Sequence, residues 1–196
     1  MPITRRLTLF ALAAALAGCA TAPANRATVG AYRDTIDLTG RMSVNYQKEG
    51  RPEAVTVNFN WIQRPGRVDV SVASQLGQTV AEINVTPQEA TLTLPNQPPR
   101  VASDIDTLTY QALGWELPVS ALRDWLQGFA NDAQGQRFVA SPANNSVFTR
   151  DGWRLRFVSW LGENSAHPRP RVIYAERGTM GNSDALEIRI VIDPET

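Results

Sequence analysis

Cys19 is the one thiol and His167 the one imidazole in the 196-residue chain. Two such groups far apart in sequence supply neither a disulfide, nor the ligand set of a zinc site, nor an iron–sulfur cluster. His167 stands in Ala166-His167-Pro168, a polar stretch that suits a solvated loop side chain better than a catalytic base. Glu163 and Asp151 could pair as carboxylates, but no spacing singles them out. G-x-S-x-G, H-E-x-x-H and the phosphate-binding G-x-x-x-x-G-K-[S/T] are all absent. With 19 basic and 19 acidic residues there is no cationic surplus to displace counterions from nucleic acid. The chain is therefore expected to be no enzyme, to need no metal or dissociable cofactor, and to bind no nucleic acid.

The chemistry left is that of Cys19 itself. Arg5 and Arg6 precede an apolar run from Leu7 to Ala17, about half of the ~20 residues a bilayer-spanning helix requires. A short basic start, a short apolar run and small residues at its end read as a secretory signal. Leu16-Ala17-Gly18-Cys19 resembles the bacterial lipoprotein signal. That resemblance implies cleavage before Cys19, with a covalent diacylglycerol and an N-acyl group on the new first residue. A plain signal peptide with an incidental Cys is the blander reading. The two arginines leave Sec and twin-arginine export both open. Cleavage removes Arg5 and Arg6 and no acid, leaving 17 basic and 19 acidic residues, net −2. Three acyl chains exceed what stable anchoring requires. Ala20 follows the Cys where an Asp would resemble an inner-membrane retention signal, so the expected address is the outer membrane, facing the periplasm. The expected organisation is a signal peptide over 1–18, a lipidated tether over 19–28 and one domain over 29–196.

The elements that must position any site are mainly strands. Period-two alternation runs through Met42–Tyr46, Val55–Trp61, Val68–Val72, Ala81–Val85 (with Val80 breaking the pattern), Ala90–Leu94, Trp153–Phe157, Val172–Tyr174 and Leu186–Ile192. Short connections at Lys48–Pro52, Arg64–Gly66, Ser74–Gly77 and Thr86–Gln88 suit hairpins, so the pattern predicts a long antiparallel meander. The period changes between residues 103 and 129. Ser103 or Asp104 can cap a helix with Ile105, Leu108 and Ala112 on one stripe. Pro118 suits the start of a second helix, with Val119, Leu122, Trp125 and Leu126 on one face and Gly128 as its stop. A further short helix is expected near Ala31–Ile36.

A sheet of this size has one apolar face to cover, and two short helices cover about half of it. Either the α+β core packs solidly, or an apolar pocket stays open beneath the helices. The polar, Pro-containing insertions Asn131–Ser146 and Glu163–Arg171 could contribute to covering it. Large aromatics such as Phe59, Trp61, Trp125 and Trp153 leave irregular gaps that favour a pocket. At the hairpin tip Ser74-Gln75-Leu76-Gly77, the Leu76 side chain is expected to face solvent.

The stretch Gly114-Trp115-Glu116-Leu117-Pro118-Val119-Ser120-Ala121-Leu122-Arg123-Asp124-Trp125-Leu126-Gln127-Gly128 resembles the helix signature of the LolB family, receptors for lipoproteins at the outer membrane. Phe59 through Trp61, then Arg67 to Ile83 with Leu76-Gly77 inside it, is similar to the family's strand–loop–strand. The resemblance implies an α+β fold, an incomplete antiparallel β-barrel of about 8–11 strands with a helical lid over an apolar cavity. It implies a task without nucleotide hydrolysis: taking lipoproteins from a soluble periplasmic carrier related to LolA and placing them in the inner leaflet of the outer membrane. The expected partners are that carrier, client lipoproteins held by their acyl chains, and the leaflet itself; the chain is expected to be a monomer. Leu76 is the expected membrane-insertion residue. Val57, Phe59, Trp61, Val70, Leu122, Trp125, Leu155 and Phe157 are the expected acyl-chain cavity residues. The alternatives left open are a structural or lipid-binding periplasmic lipoprotein with a packed core, and a transmembrane barrel, which the helical insertion and the anchor argue against.

Overall fold

The computed structural model describes residues 25–48, 50–113, 117–178 and 185–194. The signal peptide and Cys19 lie outside the described residues, as do Gly114, Trp115 and Glu116 of the helix signature. In chain order the elements are β1 (Ile36–Lys48), β2 (Arg51–Arg64), β3 (Arg67–Ala73), β4 (Thr79–Val85), β5 (Ala90–Thr93), β6 (Arg100–Ala102), α1 (Ile105–Leu113), α2 (Val119–Trp125), β7 (Phe129–Asn131), β8 (Arg137–Val139), β9 (Ser146–Phe148), β10 (Arg154–Leu161), β11 (Arg169–Arg177) and β12 (Leu186–Ile192).

Ten strands form one antiparallel sheet in the order β6-β5-β4-β3-β2-β1-β12-β11-β10-β9, and β6 and β9 are its unpaired edges. The sheet is open, not a closed barrel. The chain meanders outward from β1 to β6, returns through the helices, and meanders back from β9 to β12, which pairs with β1 at Gly40↔Ile192 through Asn45↔Glu187. Alternation decides the faces. Met42, Val44, Phe59, Trp61, Val70, Ile83, Leu155, Phe157, Ile188 and Ile190 all turn inward and are buried.

The registers define two ends. One carries the β1–β2 turn, the β3–β4 turn after Ala73↔Asn58, and the start of β10 at Arg154↔Glu176. The other carries the β2–β3 turn after Arg64↔Arg67 and the β10–β11 connection between Leu161 and Arg169. β1 and β2 are long, pairing from Ile36↔Gln63 to Lys48↔Arg51, and project past both neighbours at the first end.

The helices begin where cap chemistry permits. The Asp104 carboxylate accepts the Thr107 N–H at 2.8 Å and caps α1. Pro118 precedes α2 and makes no side-chain cap; the Asp106 carboxylate of α1 supplies it instead, accepting the Ser120 N–H at 3.1 Å and bonding the Ser120 hydroxyl. The two helices are thereby tied at their N-terminal ends. Gly128, at φ +85°, closes the segment where its N–H bonds the Trp125 carbonyl.

One expectation needs correction, and two parts of the fold carried no periodic signal. Residues 31–35 form no helix: the Val29 N–H goes to the Ala140 carbonyl and the Arg33 N–H to the Gln127 side chain, so the backbone is satisfied in an extended strap leading into β1. The polar insertion 131–146 is not simply loop. It holds β8 and the start of β9, and β7 and β8 pair as a separate ribbon. β6 was also invisible to periodicity, since three residues are too few to show a period. Among the described residues there are twelve strands, ten of them in the one sheet.

Candidate apolar ligand site

The inner face divides into two unlike halves. Over β9–β12, Leu155, Phe157, Ile173, Ala175, Ile188 and Ile190 are 0% exposed. The β7–β8 ribbon folds back onto this half, where Phe138 stacks on Phe157 with centroids 6.3 Å apart, and Ala140 is fully buried. That half is solid. Over β1–β5 a pocket of about 350 Å³ remains, walled by the sheet on one side and by α1, α2 and the turn after α2 on the other.

Val57, Phe59 and Trp61 of β2, Val70 of β3 and Leu122 of α2 line this pocket. Trp125, Leu155 and Phe157 do not. Trp125 is 3% exposed and meets Trp153 edge-to-face on the far side of α2, while Leu155 and Phe157 sit in the solid half under the ribbon. Alternation places all three on the apolar face, but only the fold-back of the insertion decides which part of that face is filled. Residues not singled out from sequence also line the pocket, among them Val44, Ile83, Leu92, Val119 and Leu126. Their signal was present in the same alternation and helix stripe; what was missing was the cross-strand register that brings them together.

The lining is almost wholly aliphatic and aromatic. Its buried polar exception is Thr109, whose hydroxyl donates to the Asp106 carbonyl at 2.9 Å, with the Leu117 carbonyl at 3.2 Å. Thr109 thus makes no demand on a ligand, and the wall offers hydrocarbon contact without directional partners. Burial is graded along the pocket. Trp61, Val70, Ile83, Leu92 and Leu122 are buried at the inner end, whereas Val55, Thr56, Val72, Ser74, Val80 and Leu94 are partly open at the other. The mouth therefore lies at the end of the sheet that carries the β3–β4 turn.

That turn is compact. The Ser74 N–H bonds the Gln78 carbonyl at 2.8 Å, the Gly77 N–H bonds the Ser74 carbonyl at 2.9 Å, and Gly77 takes φ +80°. Leu76 has no side of the turn to pack against and is 89% exposed, beside Ser74 at the pocket's rim. His167 lies on the β10–β11 connection, exposed and far from this mouth. Among the described residues no group of three or more His, Cys, Asp or Glu could hold a metal ion, and no helix is long and apolar enough to cross a membrane.

Fold and site together define a class: an open antiparallel sheet curled around an apolar pocket, with two short helices against it. The sequence profile of the family described as outer membrane lipoprotein LolB matches residues 34–194. The outer-membrane lipoprotein LolB of Cupriavidus necator is 40% identical over 197 residues, covering 98% of each chain. The protein of the same name from Thiobacillus denitrificans is 38% identical over 195 residues, covering 96% of each. A crystal structure of a LolA superfamily protein from Nitrosomonas europaea aligns with 81% of this chain and 84% of its own, at 7% identity and a TM-score of 0.47. On the profile and the sequence relatives, the chain belongs to the LolB family of outer-membrane lipoproteins.

Proposed function

We propose that this chain accepts lipoproteins from a soluble periplasmic carrier by taking their acyl chains into the β1–β5 pocket, and passes them to the inner leaflet of the outer membrane. The observation that carries this is the composition of the pocket wall, apolar from Trp61 at its inner end to Val55 at its rim. Each CH₂ moved out of water contributes about 0.8 kcal/mol, so a lipoprotein cannot cross the periplasm with its chains exposed. A pocket of about 350 Å³ is within the range of small-ligand sites and holds part of a triacyl group. Incomplete burial suits a receptor, because the bilayer must remain the better solvent. Direction then follows from rising affinity, carrier to receptor to membrane, with no nucleotide hydrolysed.

In this reading α1 and α2 are the lid of an incomplete barrel. Residues 1–18 are the cleaved signal, Cys19 carries the lipid, 19–28 are the tether and 29–196 form a single binding domain that works as a monomer. Leu76, at the mouth, is the residue that enters the leaflet. A soluble form of this chain should take a lipoprotein from the carrier and then release it to liposomes. Failure of acceptance by a folded protein, with no acyl probe bound, would favour a structural lipoprotein with a packed interior.

A further inference from the structure

A second cavity, of about 400 Å³, lies behind the first, at the end of the sheet that carries the β10–β11 connection. Its apolar wall is Val29 of the strap, Leu38 of β1, Leu161 of β10, Pro170 of β11 and Ile192 of β12. Leu38 is the cross-strand partner of Trp61, so the wall of the rear space and the inner end of the front pocket are neighbours on one face of the sheet. From the helix side, Leu126, directly after α2, is the one described residue that borders both cavities.

This partition is held on both sides. Leu126 is buried, its N–H bonds the Leu122 carbonyl at 3.0 Å, and both its neighbours are anchored. Trp125 packs on Trp153, while the Gln127 side chain accepts the Arg33 N–H at 2.9 Å and donates to the Arg33 carbonyl at 3.1 Å. On the sheet side the Trp61 indole N–H reaches Gln63 Oε1 at 3.4 Å, and the fully buried Gln63 amide donates to the Tyr32 hydroxyl at 2.9 Å. A tail passing this point would displace Leu126 from a packed site and press hydrocarbon against the Gln63 amide. Beyond it lie Arg33, His167 and Asp193, exposed at the outer rim of the rear cavity, which hydrocarbon would desolvate without offering a bond in return.

We infer that Leu126, with Trp61 on the sheet side, is a chain-length stop: an acyl tail in the front pocket ends there and does not enter the rear cavity. The inference rests on the proposed use of the front pocket for acyl chains. From Val55 at the rim to Trp61 is six residue steps of β2, about 20 Å. An extended carbon chain advances about 1.2 Å per bond, a third of the ~3.6 Å rise of an extended residue, so about 16 carbons span the pocket. Each CH₂ buried before the stop strengthens binding about fourfold. Each one beyond it stays in water at the mouth and adds nothing.

The test uses a chain starting at Ala20, which keeps every described residue, and measures displacement of cis-parinaric acid by saturated fatty acids of 10 to 20 carbons. Affinity should climb about tenfold for every two carbons up to about 16 and change less than twofold per two carbons thereafter. Leu126→Ala should carry the climb on to 20 carbons. Ala31, exposed on the strap, lines the rear cavity. Ala31→Trp should therefore leave every affinity of the parent unchanged, yet restore the plateau when combined with Leu126→Ala. An unbroken climb to 20 carbons in the parent, or weaker long-chain binding on Ala31→Trp alone, overturns the stop. Both measurements leave Leu126 in place, so they decide the matter even where Leu126→Ala does not fold. A plateau unmoved in a folded Leu126→Ala protein overturns it as well. Binding of no acid at any length removes the proposed acyl pocket, and the stop with it; binding without a plateau removes the stop alone.

Discussion

Trp125 of α2 and Trp153, at the entrance to β10, meet edge-to-face with ring centroids 5.5 Å apart and planes at 67°. The Arg177 guanidinium covers the same Trp153 ring at 4.6 Å. This contact fastens the second helix to the solid half of the sheet, so Leu122 on another side of the helix can face the pocket without the helix itself being loose. Trp125→Ala should destabilise the fold by about 3–5 kcal/mol, the usual cost of deleting a buried aromatic. Chemical denaturation measures it. Acyl-probe binding by the fraction still folded should be close to that of the parent, because the ring is not part of the pocket wall.

Filling the pocket makes the opposite demand. Ile83→Trp places a large ring at its inner end, where the probe needs space. Binding of a fluorescent acyl probe should fall tenfold or more, while the unfolding midpoint moves little compared with Trp125→Ala. Full binding by a folded Ile83→Trp protein would move the site elsewhere.

Leu76→Glu tests the mouth from outside. The side chain touches nothing that holds the turn, since Ser74, Gly77 and Gln78 bond through backbone and the Ser74 hydroxyl. Stability should change by less than about 0.5 kcal/mol. Acceptance from the carrier should be kept and incorporation into liposomes lost; normal incorporation would remove Leu76 from the delivery step.

Gly128 allows a sharper stability prediction. Its φ is +85°, and a Cβ there would lie 2.7 Å from Val29 Cγ1 and 3.2 Å from Pro170 Cγ. Gly128→Ala therefore combines about 1–2 kcal/mol of left-handed strain with displacement of the strap. Amide exchange at Val29 should accelerate together with the loss of global stability.

The cap of α1 gives a pH dependence. The Thr107 hydroxyl, at 2.5 Å, holds the Asp104 carboxyl below its ordinary value; burial opposes it, and the Thr107 and Asp106 backbone amides add to the lowering. A carboxyl depressed on folding stabilises above its unfolded value of about 3.9, and that contribution is lost as the pH falls through the folded value. Amide exchange in α1 should therefore be protected at pH 6 and speed up below about pH 4, relative to the rest of the sheet. Thr107→Ala should shrink this pH-dependent loss of protection and leave its onset, which the unfolded value sets, in place.

Much of the architecture was legible in advance because it is local. Val55–Trp61 alternates over enough residues to show its period, Asp104 stands where a helix needs an acceptor, and Pro118 and Gly128 bracket the second helix. Six residues with no such period, split between β8 and β9, escaped it, and so did the strap, whose backbone partners are the distant Ala140 and the Gln127 side chain.

The amino-acid sequence by itself determined which residues turn inward, where the helices start and stop, and that Leu76 would stand in water, since each follows from neighbours a few positions apart. It could not determine that Phe59 and Trp61 border empty space while Leu155 and Phe157 do not. Those four occupy equivalent places in the alternation. Only the return of the β7–β8 ribbon, which brings Phe138 onto Phe157 and leaves the space between β1–β5 and the helices unfilled, breaks the equivalence. Close packing depends on which distant segments arrive to fill a face, and that is settled in three dimensions.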